Sequence, residues 1–403
     1  PAVREAALMA ALSAQVAHAK QHAPAYAQSL HDVNPAEVNK RQALAKLPLT
    51  RKSDVMAAQQ AQGVRQLGGY ATSSFGAQMP RVFSSPGPVY EPGGMGVPHG
   101  RMARAFFAAG FRATDLVHNC FSYHFVPAGA MMEQGAQALG CTVFPAGTGQ
   151  TEQQVQALAQ LQAQGYVGTP SFLRIILEKA SEMGVALPTL SKAMLSGEAL
   201  PPSLRDWYGA RGVAAYQCYA TAELGLIAYE TTGRAGLVLD EGVIVEIVRP
   251  GTGDPVAEGE VGEVVVTSLN PLYPLIRFAT GDLSAVLPGP CPTGRSNTRI
   301  RGWLGRADQA TKVRGMFVHP SQVAEVVRRF PEVLRARLVV SGAMAQDQLS
   351  LMVETACAGP DALTTKLTEA VRDVTKLRAE ISLVLPGSLP NDGRVIEDAR
   401  SYD

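Results

Sequence analysis

The chain has 403 residues, enough for two or three domains around a large core. Its 36 Lys+Arg against 35 Asp+Glu leave a net charge of +1, which argues against a nucleic-acid or anionic-membrane partner. Hydrophobic residues at 46% and charged residues at 18% suit a soluble globular enzyme, and no apolar run is long enough to span a bilayer. Five scattered cysteines (Cys120, Cys141, Cys218, Cys291 and Cys357) are odd in number and never closely paired. They argue against a disulfide framework or zinc knuckle and for a reducing, cytoplasmic setting.

Residues 3–30 carry Leu8, Leu12, Val16 and Ala19 at helical spacing, with Arg4, Glu5, His18 and Lys20 in place of an apolar signal core. A short helix is expected from Ser53 and Asp54. The density of Pro and Gly over 80–100 predicts a loop, neither helix nor sheet. Ser84 and Ser85 with Gly87 in that loop offer hydroxyls and amides to a phosphate, but it has no lysine. From about 101 to Tyr219 helical and strand-like segments alternate, which predicts a largely parallel sheet with helices on both faces. Along the way Thr151 and Gln154 read as a capping box, and Ser171 as the cap of the next helix. After 230 the β-rich runs Val243–Val248 and Gly262–Ser268 and the segment to Asp282 predict an antiparallel, barrel-like unit. Residues 309–403 read as a small α+β domain.

The stretch from Gln217 to Leu226 is the chemical focus. A β-prone run leads into it, and Gly225 permits a sharp turn, so Tyr219 and Glu223 fall at the carboxyl end of a strand. Ligands of open α/β sheets bind there. An aromatic ring can cover a nucleobase, and a carboxylate can hold the magnesium ion that accompanies phosphates. The alternative is a strand end with one packed ring and one solvated acid. Ser196, Gly197 and Glu198 lie at another strand end, and Asp282 is presented by a Thr-Gly turn, where a ribose diol or a capped turn are both open. Phe121, Tyr123 and Phe125 form an aromatic run that would suit an apolar pocket or core. His118 and His124 lack metal-ligand spacing and read as structural.

Together these stretches resemble the phenylacetate–CoA ligase family of AMP-forming, adenylate-forming enzymes over nearly the whole chain. The matching segments run from Ala23 to Tyr26, Leu139 to Val155, Gly168 to Ser171, Tyr219 to Glu223, Pro274 to Asp282 and Gly305 to Ser321. The resemblance implies an α/β fold with an antiparallel β-barrel-like unit, a large N-terminal domain (1–307) and a small mobile α+β C-terminal domain (308–403). It also implies ATP, magnesium and coenzyme A as cofactors, a carboxylic acid substrate, an acyl-adenylate intermediate and a homodimer.

By the same resemblance Tyr219, followed by Ala220 and Thr221, would stack on adenine, and Glu223 would ligate magnesium. Gly197 and Glu198 would line the adenine site, Asp282 would take the ribose hydroxyls and Arg306 would help hold the nucleotide. Asp308 would be the hinge, and Tyr123, Phe125 and Gly129 would form the acid pocket. Two departures stand out. The family's phosphate loop is rich in Thr and Gly and carries a lysine; here Glu91 stands in its place, where a like-charge contact costs on the order of 1 kcal/mol. In the C-terminal tail Arg394 lies near the position of the family's catalytic lysine, a planar fork in place of a point charge. Ala222 also replaces a hydroxyl residue beside the metal carboxylate. The function expected is an acid–CoA ligase, with a nucleotide- or CoA-binding protein of degenerate activity, or an enzyme that loads a carrier protein, as alternatives.

Overall fold

A computed structural model describes residues 2–85, 88–93, 100–304, 306–307, 311–314, 316–318, 320–342, 347–356, 360–389 and 395–400. Contacts divide the chain into two compact units, Pro1–Leu304 and Gly305–Asp403.

The first unit holds a nine-stranded sheet among its described residues. Five strands are parallel, in the spatial order Ala214–Thr221, Lys192–Leu195, Gly165–Gly168, Leu116–Asn119 and Thr142–Phe144. Helices connect them, including Ala128–Ala138, Thr151–Leu161, Pro170–Glu182 and Pro202–Gly209. This is the alternation expected from the sequence, since a parallel crossover needs a helix to cover the sheet. At Thr221 the strand direction reverses. Gly225–Glu230 returns antiparallel, pairing Thr221 with Gly225, and Leu237–Leu239 continues outward. Gly225 sits at φ +69°, and a Cβ there would meet the Gly100 backbone at 2.9 Å, so glycine is required twice over.

Val243–Val248, Gly262–Ser268 and Phe278–Ser284 form an antiparallel sheet, extended by the parallel edge strand Thr50–Arg51. It is a four-stranded sheet, and no closed barrel occurs among the described residues. The N-terminal helix Ala2–His22 buries Leu12, Val16 and Ala19 against Ile244 and Ile276. Pro24 opens a second short helix, Pro24–Ser29, because its missing N–H is unneeded in a first turn.

Three local expectations are corrected. Residues Arg81–Ser85 and Val89–Gly93 form a β-hairpin, not a loop. The Gln59 carboxamide donates to Tyr90 O and accepts from Tyr90 N, standing in for a third strand. Tyr90 therefore points its N–H away from its hairpin partner Ser84, and Pro92, two residues on, shares that outward orientation and forfeits no ladder bond. Thr151 and Gln154 make no capping box: the helix starts without a side-chain cap, and Gln154 turns inward to His118. Thr169, not Ser171, caps Pro170–Glu182 by accepting from Phe172 N.

The second unit is a four-stranded sheet in the order Glu380–Val384, Gln348–Thr355, Val333–Ser341 and Ile396–Asp398. Helices Pro320–Arg328 and Pro360–Thr375 accompany it, and Val323, Val326, Leu363 and Leu367 share one core with Leu338, Val340 and Leu351. Cys120, Cys141, Cys218 and Cys291 are free and buried, and Cys357 lies outside the described residues. No helix among the described residues is long and apolar enough to cross a membrane.

Candidate functional site

The end of strand Ala214–Thr221 gathers the side chains singled out in the sequence. Tyr219 is half-buried, and its hydroxyl donates to Asp282 Oδ2 at 2.7 Å and Thr280 Oγ1 at 3.3 Å. Asp282 is 9% exposed and also accepts from the Trp303 indole N–H at 3.1 Å. The nine-stranded and four-stranded sheets of the first unit thus meet at this tyrosine–aspartate pair. Ala220 packs against the core, and the Thr221 hydroxyl accepts from Leu224 N, closing the turn before Gly225.

At the neighbouring strand end Ser196 is buried and donates to Cys218 O, while Gly197 (φ +81°) and Glu198 are exposed. Glu198 accepts from Ser171 N across the adjacent strand end at 3.1 Å.

Glu223 is buried beside charge. Its Oε1 lies 2.7 Å from Lys52 Nζ, with the two side chains 8% and 37% exposed. Burial by itself would raise its pKa; the Lys52 ammonium outweighs that and holds the carboxyl below its ordinary range. Lys52 also donates to Ser85 Oγ at 2.9 Å, and Ser85 donates to Glu91 Oε1 at 2.6 Å. Glu91 is 1% exposed, its Oε2 finds no partner, and the Glu223 charge is near enough to act on it. Burial, then the Glu223 charge, push the Glu91 carboxyl well above the usual range. A protonated Glu91 can donate to Glu223; an ionised one cannot. Lys52 is the residue that the sequence reading missed. The pairing of Thr50 and Arg51 with Phe278 and Ala279 carries it into the site, and no local signal announces a partner so distant in sequence.

The segment that the resemblance would make the acid pocket is held by Asn119, fully buried at the end of its strand. Its Nδ2 donates to Tyr123 Oη at 2.7 Å and to Gly129 O at 2.9 Å, and its Oδ1 accepts from Phe121 N. Phe121 belongs to the core. The Tyr123 ring lies against Gly129, where a Cβ would meet Cδ2 at 2.8 Å and Ser122 O at 2.7 Å. Phe125, by contrast, is 82% exposed at φ +63°, and its carbonyl accepts from Ser84 N at 2.8 Å, joining the hairpin to this segment. His118 is buried, stacked on Phe144 and bonded to Gln154, with no metal-ligand company. Arg306 is half-buried in the second unit. Gly87, Asp308 and Arg394 lie outside the described residues.

Among the described residues no group of three or more His, Cys, Asp or Glu side chains could hold a metal. Glu223 is the one carboxylate that the resemblance offers magnesium, and it is already paired with the Lys52 ammonium. These residues do not fit a resident magnesium ion.

Residues 92–271 match the AMP-binding enzyme family. The phenylacetate–coenzyme A ligase of Thermus thermophilus is 29% identical over 390 residues, covering 91% of this chain and 86% of that protein. The phenylacetate–coenzyme A ligase of Escherichia coli is 29% identical over 360 residues, covering 84% and 79%. Among solved structures, 2-hydroxyisobutyryl-CoA ligase in complex with 2-HIB-AMP and CoA in its thioesterification state superposes with a TM-score of 0.82. That comparison has 25% identity and covers 100% of this chain and 91% of the other.

Proposed function

We propose, from the premise that this chain belongs with the phenylacetate–coenzyme A ligases among the AMP-binding enzymes, that it joins a carboxylic acid to coenzyme A through an acyl-adenylate. The acid carboxylate attacks the α-phosphorus of ATP and pyrophosphate leaves; the coenzyme A thiolate then attacks the acyl carbon and AMP leaves. The observation that carries this reading is the Tyr219–Asp282 pair at the carboxyl end of the last parallel strand, the end of the strands at which open α/β sheets bind ligands.

In this reading the Tyr219 ring covers one face of adenine, and Gly197 and Glu198 border it. Asp282 exchanges its protein donors for the ribose hydroxyls. The Lys52 ammonium, beside Ser85, faces the phosphates, so Lys52 supplies the positive charge that the hairpin lacks. The substrate is an aryl or arylacetic acid: Tyr123, locked by Asn119 and seated on Gly129, offers a flat apolar wall. No step is routed through magnesium, since Glu223 is engaged by Lys52.

Incubation with ATP, coenzyme A and a panel of arylacetic, benzoic and aliphatic acids tests the reading. AMP and an acyl-CoA should form with an arylacetic acid. Absence of AMP with every acid, alongside thermal stabilisation by AMP, would establish the second reading, a nucleotide-binding protein of this fold. The buried Glu91 in the phosphate hairpin is the observation that favours that second reading.

A further inference from the structure

We propose that Lys52 occupies the place of the metal ion in this chain and that the site binds ATP without a divalent cation. The proposal rests on the ligase reading above and concerns the triphosphate side of the same site.

Four groups carry it. Lys52 Nζ, Glu223 Oε1, Ser85 Oγ and Glu91 Oε1 form a continuous array with separations of 2.7, 2.9 and 2.6 Å. Lys52 sits at the centre of that array with three N–H donors. Two are committed, to Glu223 and Ser85, and the side chain remains 37% exposed. One N–H donor is thereby left for an incoming phosphate.

Magnesium faces the opposite situation. It demands near-octahedral oxygen ligands at about 2.0–2.1 Å and gives up its water reluctantly. To reach Glu223 it would have to displace an ammonium held at 2.7 Å. The second carboxyl, Glu91, does not help it. That group is 1% exposed, takes the Ser85 proton on one oxygen and feels the Glu223 charge. Burial and that charge push its carboxyl well above the usual range, and a neutral Glu91 adds a hydrogen-bond donor to the cluster and no charge. The result is one cation opposite one anion in a half-closed site, a balance that a divalent ion would upset. The two changes belong together: a hairpin that lost its lysine and gained Glu91 stands beside a lysine brought from the helix Lys52–Gln62.

ATP and AMP binding to the full chain, measured by titration calorimetry in excess EDTA and in excess magnesium, tests the proposal. ATP affinity should agree within about two-fold between the two buffers. Lys52→Met should weaken ATP binding in EDTA by about ten-fold or more, and magnesium should restore most of it, because Glu223 is then released to the ion. Lys52→Arg should keep the metal-free binding. If Lys52→Met does not fold, the comparison on the unaltered chain decides alone. ATP binding that is about ten-fold or more tighter with magnesium overturns the proposal and, with AMP still bound, leaves the ligase reading standing. Failure of both AMP and ATP to bind in either buffer removes the adenosine site and this proposal with it.

Discussion

The Tyr219 hydroxyl donates a 2.7 Å hydrogen bond to Asp282 Oδ2, linking the strand Ala214–Thr221 of the large sheet to Phe278–Ser284 of the second. In the proposed reading the aspartate would exchange this donor for ribose, and the ring would stack on adenine. Asp282→Ala should lower AMP affinity by about 10- to 100-fold, the usual worth of hydrogen bonds to a charged group. Tyr219→Phe, which keeps the ring, should cost less than Asp282→Ala. Calorimetric titration with AMP checks both.

Gly129 is a position where the proposed acid pocket can be altered by one methyl group. A Cβ there would lie 2.8 Å from Tyr123 Cδ2 and 2.7 Å from Ser122 O. Gly129→Ala should push the Tyr123 ring off its seat, cost about 1–3 kcal/mol of stability and raise the KM for the acid more than that for ATP. Steady-state kinetics with each substrate varied in turn separate the two.

Arg277, part of a segment shared with the family, acts as a structural clamp. At 2% exposure it donates to Glu246 at 3.1 Å and to the carbonyls of Ala45, Leu47 and Gly253. Arg277→Met should destabilise by about 3–5 kcal/mol because it leaves Glu246 charged and buried. Urea unfolding measures this, and AMP affinity of the folded fraction should be unchanged.

His118 gives a pH dependence. Burial lowers its pKa, opposed only by the bond to Gln154, so it is neutral in the fold and takes a proton more readily when unfolded. The stability it contributes is present above the ordinary histidine pKa and is lost as pH falls below about 6.5. His118→Gln should flatten the fall in unfolding free energy between neutral and mildly acid pH. An unchanged slope would show that other groups carry it.

The parallel half of the sheet was legible in the sequence because each crossover has a strand-length apolar run, a turn and a helical repeat. Tyr219, Glu223, Gly225 and Asp282 were legible for a related reason: strand ends and turns are marked locally, by glycine and by short polar residues. The hairpin Arg81–Ser85 with Val89–Gly93 was not, because its pairing is completed by the Gln59 side chain from a different element. The inward turn of Gln154 escaped for the same reason, since its partner His118 lies on another strand.

Local order in the chain therefore determined the alternation of elements, the Tyr219 strand end and the family resemblance. Tertiary structure alone decided that Glu223 faces Lys52 and that Glu91 is buried near both. Periodicity and turn chemistry act over a few residues and can be read in line. Charge pairing acts across space, between residues such as Lys52 and Glu223 that only the folded sheets bring within 3 Å of each other.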